Sequence, residues 1–552
     1  VNVLSQFVKV FFEPLGRRAE ANPGESILDL ALRCGAGIRA DCGGARSCGK
    51  CRVIIEDQNA LSAPDYSEAS LLTPEEFARG YRLACAARFL NSARKVTVVI
   101  PPESRQRARR FGGSDAERRV KLDPVVGPMG ITHAGPTLGL AVDIGTSRIT
   151  ARLIDLVNGL HIASESIENP QIVHGENLIT RASFAQVSEE NLLRLRALLI
   201  DGVNTLIGRL VEGRAMPEDV LQAVVVGNTV MHHLFLGLDT SRLTRAPFTP
   251  MIRETVWLMG IESRLDVNPA GVVVVLPNID AFVGADAVAD IISSNLLRRA
   301  EPTLLVDVGT NTEIILRAGG ETLACSCASG PAFEGEHIEY GLKAVEGAIE
   351  RVRITGSAVE YRTLGGGKPV GICGSGIVDA VAGLLRNKLI TPVGRFTEDA
   401  APRVIRVGNQ RKFVIAPRAE SGTGVDITIS ERDINEVILA KAAIASATGV
   451  LMAMKSVDPS GLRRVLVAGA FGGHLDKANA RAIGLIPQVE GRRIAFLGNA
   501  ALEGASMALK SRRIIDLATR ISVETRYVEL ASNPDFDVGF RKALLLAGEK
   551  RY

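Results

Sequence analysis

The chain has 552 residues, 46% of them hydrophobic and only 4% aromatic, with 65 basic and 61 acidic side chains for a net charge of +4. That length exceeds what one hydrophobic core serves, so about three folding units are expected, and a chain rich in small and aliphatic residues suits α/β layers. Near-balanced charge leaves no electrostatic footprint for nucleic acid, and no uncharged apolar run approaches the ~18 residues that would span a bilayer.

In chain order, VNVLSQFVKVFFEP lacks the basic, apolar and small-residue succession of a secretory signal, so a cytoplasmic protein is expected. Residues 8–12 (VKVFF) read as a strand, Gly24 as a turn, and Ser26 with Asp29 as the cap of a short helix, ILDLALR. DCGGARSCGKC then sets Cys42, Cys48 and Cys51 at Cys-x5-Cys-x2-Cys spacing, and Cys85 follows in LACAARF. Thiolates suit soft iron, and Gly43, Gly44, Ala45 and Gly49 are small where backbone amides must approach bridging sulfides. The expected ligands of one [2Fe–2S] cluster are therefore Cys42, Cys48, Cys51 and Cys85, in a loop one residue wider than the plant-type spacing. A zinc ribbon wants two close cysteine pairs, and only Cys48 and Cys51 form one. A disulfide pair wants an oxidising setting. Cys34 is a fifth thiol nearby, expected to be a small buried residue and not a ligand.

The strands CRVIIED and KVTVVIPP close a first domain at residues 1–102, whose order of elements resembles the β-grasp ferredoxins. Residues 103–135 then change character, with Arg105, Arg107, Arg109, Arg110, Arg118 and Arg119 among Gly, Ser, Asp and Pro. They read as a basic linker, either a solvated tether or a strip that docks on an acidic partner.

An internal repeat follows. PTLGLAVDIGTSRITARLID from Pro136 and PTLLVDVGTNTEIILRAGG from Pro302 share an apolar strand, an Asp, a Gly-Thr turn and a second strand, which divides the rest into halves at 136–301 and 302–552. In each half the strand delivers a carboxylate, Asp143 or Asp307, that can hold Mg²⁺ through water. The backbone of Gly145, Thr146 and Ser147, or of Gly309, Thr310 and Asn311, can wrap a phosphate. A third element, RRVLVAGAFGGHLDKANARAIGLIP, is a strand running into glycines, and Gly469, Gly472 and Gly473 could seat an adenosine against the backbone. Glu313 either faces the same cleft and orients a water or is a solvent-facing strand residue. Asp286, in FVGADAV, either contacts the metal's water or caps the helix that follows. His232 and His233 read as packing residues, and Cys325 and Cys327 as buried thiols. Ser326 and Ser329, in SCASGPAFEG, are candidates for contact with the nucleotide or a partner.

These three elements resemble the two phosphate motifs and the adenosine motif of the acetate and sugar kinase, Hsp70 and actin superfamily. With a [2Fe–2S] domain in front, the chain resembles the reductive activators of corrinoid-dependent enzymes over nearly its whole length, including VGNTVMHHLFLGLD, LPNIDAFVGADAVADI, ICGSGIVDAVAGLL and DINEVILAKAAI. The resemblance implies a β-grasp ferredoxin domain ahead of a duplicated, ribonuclease H-like ATPase. It implies a [2Fe–2S] cluster, ATP and Mg²⁺ as cofactors, and return of one electron to an inactive Co(II) corrinoid protein so that Co(I) can again serve methyl transfer. It also implies a low-potential electron donor, while a homodimer stands open. Three other readings compete: a small-molecule kinase with a regulatory cluster, an activator of the 2-hydroxyacyl-CoA dehydratase type, and a non-hydrolysing module that only carries electrons and binds partners.

Overall fold

In the computed structural model, alternation decides the first sheet: Val8, Val10 and Phe12 of strand β1 (Val8–Glu13) point inward and are buried while their neighbours face out. The structure describes residues 8–13, 17–34, 36, 38–40, 42, 44, 46–55, 57–90, 95–101, 104, 120–129, 133–175, 177–469 and 475–546. Two units result, residues 1–108 with 170–181, and residues 109–169 with 182–552.

In the first unit, β2 (Arg17–Ala21), α1 (Ile27–Cys34), β3 (Arg52–Ile55), α2 (Tyr66–Leu71), α3 (Pro74–Ala78), β4 (Tyr81–Leu83) and β5 (Lys95–Val99) follow β1. Their sheet runs β2-β1-β5-β3-β4, with β1 and β5 parallel and the other neighbours antiparallel. The expected cap opens α1, since Ser26 Oγ accepts from the Asp29 amide at 3.1 Å and donates to its carboxylate at 2.7 Å. Phe12, Ile27, Leu30, Val53, Leu83 and Phe89 build the core beneath the sheet. Inside it, Arg82 on β4 and Glu68 on α2 form an ion pair at 2.7 Å with both side chains 1% exposed, and Glu68 also accepts the Leu83 amide at 2.9 Å. This pair fixes the strand that leads into Cys85.

The second unit begins with α4 (Val126–Met129) and then β6 (Leu138–Ile144), β7 (Arg148–Asp155), β8 (His161–Glu168), α5 (Leu178–Val187), α6 (Glu189–Val211), β9 (Val220–Gly227), α7 (Thr229–Leu236), β10 (Val256–Met259), α8 (Gly260–Ser263), β11 (Val272–Val275) and α9 (Ala285–Ser293). The repeat follows as β12 (Thr303–Asp307), β13 (Thr312–Ala318) and β14 (Glu321–Cys327). An inserted region carries β15 (Gly341–Leu342), β16 (Ala348–Thr355), β17 (Ala358–Thr363), β18 (Gly371–Cys373), α10 (Gly374–Arg386), β19 (Val404–Val407), β20 (Gln410–Ala416) and β21 (Ile427–Ser430). The chain ends through α11 (Glu431–Met454), β22 (Arg464–Ala468), α12 (Lys477–Ala482), β23 (Ile494–Gly498), α13 (Ala500–Lys510), α14 (Arg512–Glu524), β24 (Thr525–Tyr527) and α15 (Pro534–Ala543).

The duplication is visible in the ladders. Strands β8-β7-β6-β9-β11 and β14-β13-β12-β22-β23 share one order, with two antiparallel pairings followed by two parallel ones. The central strands β6, β9 and β12 are buried along nearly their whole length, as strands covered on both faces are. Leu304 and Val306 of β12 join the core with α10 and α11, whereas Leu305 joins a second core with α9, α13, α14 and the first-half residues Val224 and Val274. Helix α11 is long and apolar enough to cross a bilayer, but 72% of its apolar window is buried inside the protein, so it is a core helix.

Of the expected linker, the six arginines lie outside the described residues. Its later part is tied down: the Asp123 amide donates to Lys510 O, Arg512 donates to both the backbone and the carboxylate of Asp123, and the Val125 amide donates to Gln222 Oε1.

Candidate functional site

The antiparallel β3–β4 ladder runs on past its named ends, with the Ala84 amide donating to Cys51 O at 2.8 Å, so Cys51 and Cys85 emerge side by side. Their sulfurs lie 3.3 Å apart, both buried. Cys42 and Cys48 make a second pair. The Cys48 thiol donates to Cys42 and, joined by the amides of Ser47 and Cys48, holds the Cys42 thiol down at about 5 despite its burial. For Cys51 the neighbouring Cys85 thiol and burial act the other way and raise it well above the usual thiol range. Gly44, at φ +91°, takes a left-handed turn in this loop that a side chain would strain. Among the described residues no three His, Cys, Asp or Glu side chains converge on a single ion. Two thiol pairs, each able to take one iron, are what a binuclear cluster requires and what a mononuclear zinc ribbon does not. Cys34 directs its thiol at Ala31 O of its own helix, 3.7 Å away. Of the small loop residues, Gly43 and Ala45 lie outside the described residues.

In the second unit the two repeated hairpins meet. Ser147 Oγ donates to Thr310 Oγ1 at 3.0 Å, and Thr310 in turn donates to Glu334 Oε1 at 3.0 Å. Asn228, the N-cap of α7, donates to Thr146 Oγ1 at 3.3 Å. The cleft between the hairpins is lined by the phosphate and carboxylate residues expected from the sequence, Asp143, Gly145, Thr146, Ser147, Asp286, Asp307, Gly309, Thr310, Asn311 and Glu313, together with Gly469. A Cβ on Gly469 would stand 2.3 Å from Val308 O and 3.0 Å from Asp307 Oδ1, so only glycine lets β22 pass the second hairpin here. Gly472 and Gly473 lie outside the described residues.

Five carboxyls gather at the cleft floor. Asp143 ends β6, Asp307 ends β12, Glu313 lies opposite Asp307 on β13, and Asp286 and Asp290 occupy one face of α9 at i, i+4. Burial is the main reason that all five titrate high. It lifts Asp143 to about 7, with the Asn499 amide opposing at 2.8 Å and the Asp307 charge adding to it. It lifts Asp286 to about 8, with the charges of Asp143 and Asp307 adding. Asp290, Asp307 and Glu313 are raised too. Asp290 is fully buried, no donor among the described residues reaches either of its oxygens, and the neighbouring Asp307 carboxyl adds to burial in raising it. Among the described residues none of the five is ion-paired. The oxygen-only donor set fits Mg²⁺ brought with a polyphosphate.

Glu313 is buried in the cleft, where Ser326 Oγ donates to it at 3.0 Å, so it is not the solvent-facing alternative. Asp286 keeps a contact with the Ala287 amide yet faces the cleft. Ser329 is not on the surface: it is buried, and its hydroxyl donates to Gly309 O at 3.0 Å and bonds Thr312 Oγ1 at 2.7 Å, bracing the second hairpin. His232 and His233 pack on α7, with His233 held between Thr229 O and the Met251 amide, and burial depresses His232 to about 3. Cys325 and Cys327 are buried thiols raised by that burial. Sequence reasoning missed Asp290, Glu334, Asn499 and Asn228. The i+4 spacing from Asp286 could have found the first; the others reach the cleft only through tertiary packing.

Comparison with known proteins gives the same architecture. The chain is 35% identical over 410 residues, 73% of its length and 69% of the relative's, to the corrinoid activation enzyme RamQ of Eubacterium limosum. A family model described as the C-terminal ASKHA domain of RACo matches residues 301–551, one described as the RACo middle region matches 138–299, and the 2Fe-2S iron-sulfur cluster binding domain matches 10–90. The chain belongs to the RACo family. Another relative, a [Co(II) methylated amine-specific corrinoid protein] reductase of Methanosarcina barkeri, is 25% identical over 72% of this chain and 75% of its own. A solved reductive activator for corrinoid, iron-sulfur protein superposes with a TM-score of 0.73 over 98% of both chains at 29% identity. The fold expectation, a β-grasp [2Fe–2S] domain followed by a duplicated actin-like ATPase, is borne out. The RACo domains bring a [2Fe–2S] cluster and MgATP as cofactors.

Proposed function

We propose that this chain is an ATP-dependent reductive activator that transfers one electron to the inactive Co(II) form of a corrinoid protein and so restores Co(I) for methyl transfer. The carrying observation is the pairing on one chain of two thiol pairs set for two irons with a duplicated carboxyl cleft, in a protein matched end to end by a reductive activator for a corrinoid, iron-sulfur protein.

When bound, the cluster supplies the electron. Cys42, Cys48, Cys51 and Cys85 hold it, and the amides of Ser47 and Cys48 that donate to Cys42 stabilise negative charge there. Plant-type clusters sit near roughly −400 mV, above the very negative Co(II)/Co(I) couple, and each 100 mV uphill costs about 2.3 kcal/mol. Reduction therefore needs a second source of free energy. In the cleft, Asp143 and Asp307 would hold Mg²⁺, the hairpin backbones would bind the phosphates, and Glu313, bonded to Ser326, would orient the attacking water. Hydrolysis to ADP and phosphate changes what the hairpins hold, and a cleft state that binds one redox state of the partner more tightly than the other shifts the electron equilibrium by that difference in affinity. A low-potential donor that recharges the cluster completes the cycle, in the reducing cytoplasm that eight free cysteines suit. Self-association into a homodimer belongs to the same set of expectations.

The test adds the reduced protein to a Co(II) corrinoid protein with and without MgATP and follows Co(I) absorbance. Extensive Co(I) formation only with MgATP is expected. Equal formation without nucleotide would remove ATP from the reaction, and phosphate transfer to a small alcohol or carboxylate without need of a reductant would favour the kinase reading.

A further inference from the structure

Among the described residues, the wall of the acidic cleft has two cationic side chains, Arg148 and Lys343. Arg148 starts β7 and donates to Ser166 Oγ at 3.0 Å. Lys343 follows β15 in the second half, and its ammonium lies 2.9 Å from Glu168 Oε1, at the end of β8 in the first half. Glu336 stands 3.5 Å from the same ammonium. The Lys343 side chain is 19% exposed and those of Glu168 and Glu336 are 9% and 3% exposed. An ion pair therefore spans the two halves at the wall of the cleft. Glu334, on the turn before β15, accepts from Thr310 of the second phosphate hairpin, so the segment that leads through β15 to Lys343 starts at the phosphate-binding turn.

Charge decides what this ammonium can do. The wall it shares holds Asp143, Asp286, Asp307, Glu313 and Glu334, and a polyphosphate entering it is repelled unless cations attend it. Desolvation of its two largely buried charges offsets much of the attraction in the lysine–glutamate pair, whereas an ammonium–phosphate contact in a partly desolvated cleft is a strong charge-assisted bond. We propose that Lys343 is a phosphate-binding residue of the nucleotide site and that Glu168 is its competitor, so that nucleotide binding exchanges a salt bridge between the two halves for an ammonium–phosphate contact. The proposal rests on the nucleotide reading of the cleft. Its consequence is that occupancy frees β8, an edge strand of the first-half sheet, from the second half. Nucleotide state thereby reaches a surface outside the cleft.

The experiment measures MgATP and MgADP affinity by titration calorimetry on the full chain with its cluster, for the wild type and for Lys343→Gln, Lys343→Arg and Glu168→Gln. Both glutamine variants break the same salt bridge, so a purely structural pair would move affinity in one direction for both. The proposal requires opposite directions. Lys343→Gln weakens MgATP binding by about tenfold or more, Lys343→Arg restores part of it, and Glu168→Gln tightens binding severalfold. The visible spectrum of the cluster and the melting profile report that each variant is folded. If the wild type binds MgATP and Glu168→Gln binds it no better, or Lys343→Gln binds it equally well, the proposal is overturned alone. If the wild type fails to bind MgATP, the nucleotide reading falls and takes the proposal with it.

Discussion

Cys34 and Cys85 show what a residue's surroundings decide. Both are cysteines of the first unit, yet Cys85 meets Cys51 across a ladder at 3.3 Å while Cys34 turns to its own helix. Serine at Cys42, Cys48, Cys51 or Cys85 is expected to abolish or alter the rhombic S = 1/2 signal of the reduced protein, and Cys34→Ser to leave it unchanged; loss on changing Cys34 with retention on changing Cys85 would overturn the ligand set. In the cleft, Asp143→Ala and Asp307→Ala are each expected to cut ATP hydrolysis by about 10² or more with the cluster spectrum intact, because preorganised contacts to metal and phosphate carry such catalysis. The same burial has a pH signature. Asp143 titrates near 7 in the folded protein against an ordinary 3.8, so between those values the native state holds a proton that the unfolded chain has lost, and stability falls as pH rises. Asp143→Asn removes that term. Its Tm relative to wild type, measured without Mg²⁺, should climb between about pH 4 and 7; a flat or falling difference would show that the carboxyl is not held protonated.

Elements place these residues. Strand β4 can present Cys85 only if its own position is set, and the buried Arg82–Glu68 pair sets it by joining β4 to α2. Glu68→Ala leaves the Arg82 guanidinium buried without a counter-charge, its remaining bond being to Ser62 O at 2.9 Å, which costs about 3–5 kcal/mol. Unfolding of the first unit at a lower temperature and faster loss of the cluster's visible absorbance should follow, and a well-packed apolar pair at both positions should recover most of the loss. In the second unit, α9 brings Asp286 and Asp290 to the carboxyls that end β6 and β12, and α13 contributes Asn499 from its N-cap. The α9–α13 crossing is close because Gly504 lies where a Cβ would be 2.1 Å from Ala289 O.

At the scale of the whole molecule, coupling is the property under test. The segment between the two modules ends in backbone bonds from Asp123 and Val125 to the second unit, so a nucleotide-binding fragment should begin near Val120 and not at Pro136. Covalent linkage raises the effective concentration of one module at a partner bound by the other. A mixture of residues 1–104 and 120–552 should therefore form Co(I) more slowly and less completely than the intact chain with MgATP. Equal reduction by the first fragment alone would show that the ATPase plays no thermodynamic part.

Much of this was legible in order and spacing. The Cys42–Cys51 cysteine loop, the Ser26–Asp29 cap and the duplicated Asp-x-Gly-Thr turns are local patterns, because such a loop, a helix cap and a strand-turn-strand hairpin are each made by residues close in the chain, whereas Cys85 joins the loop only across a ladder. The duplication was legible for the same reason, since one hairpin was written twice. What the sequence alone could not decide is which groups from distant elements meet. Asp290 and Asn499 enter the cleft because α9 and α13 pack between the two sheets, and Ser329 is inside because β14 folds back on the second hairpin. Lys343 faces Glu168 only because an inserted loop of one half closes on the edge strand of the other. Such meetings depend on the packing of whole layers, whose free energy is spread over many apolar contacts, and no local spacing records it.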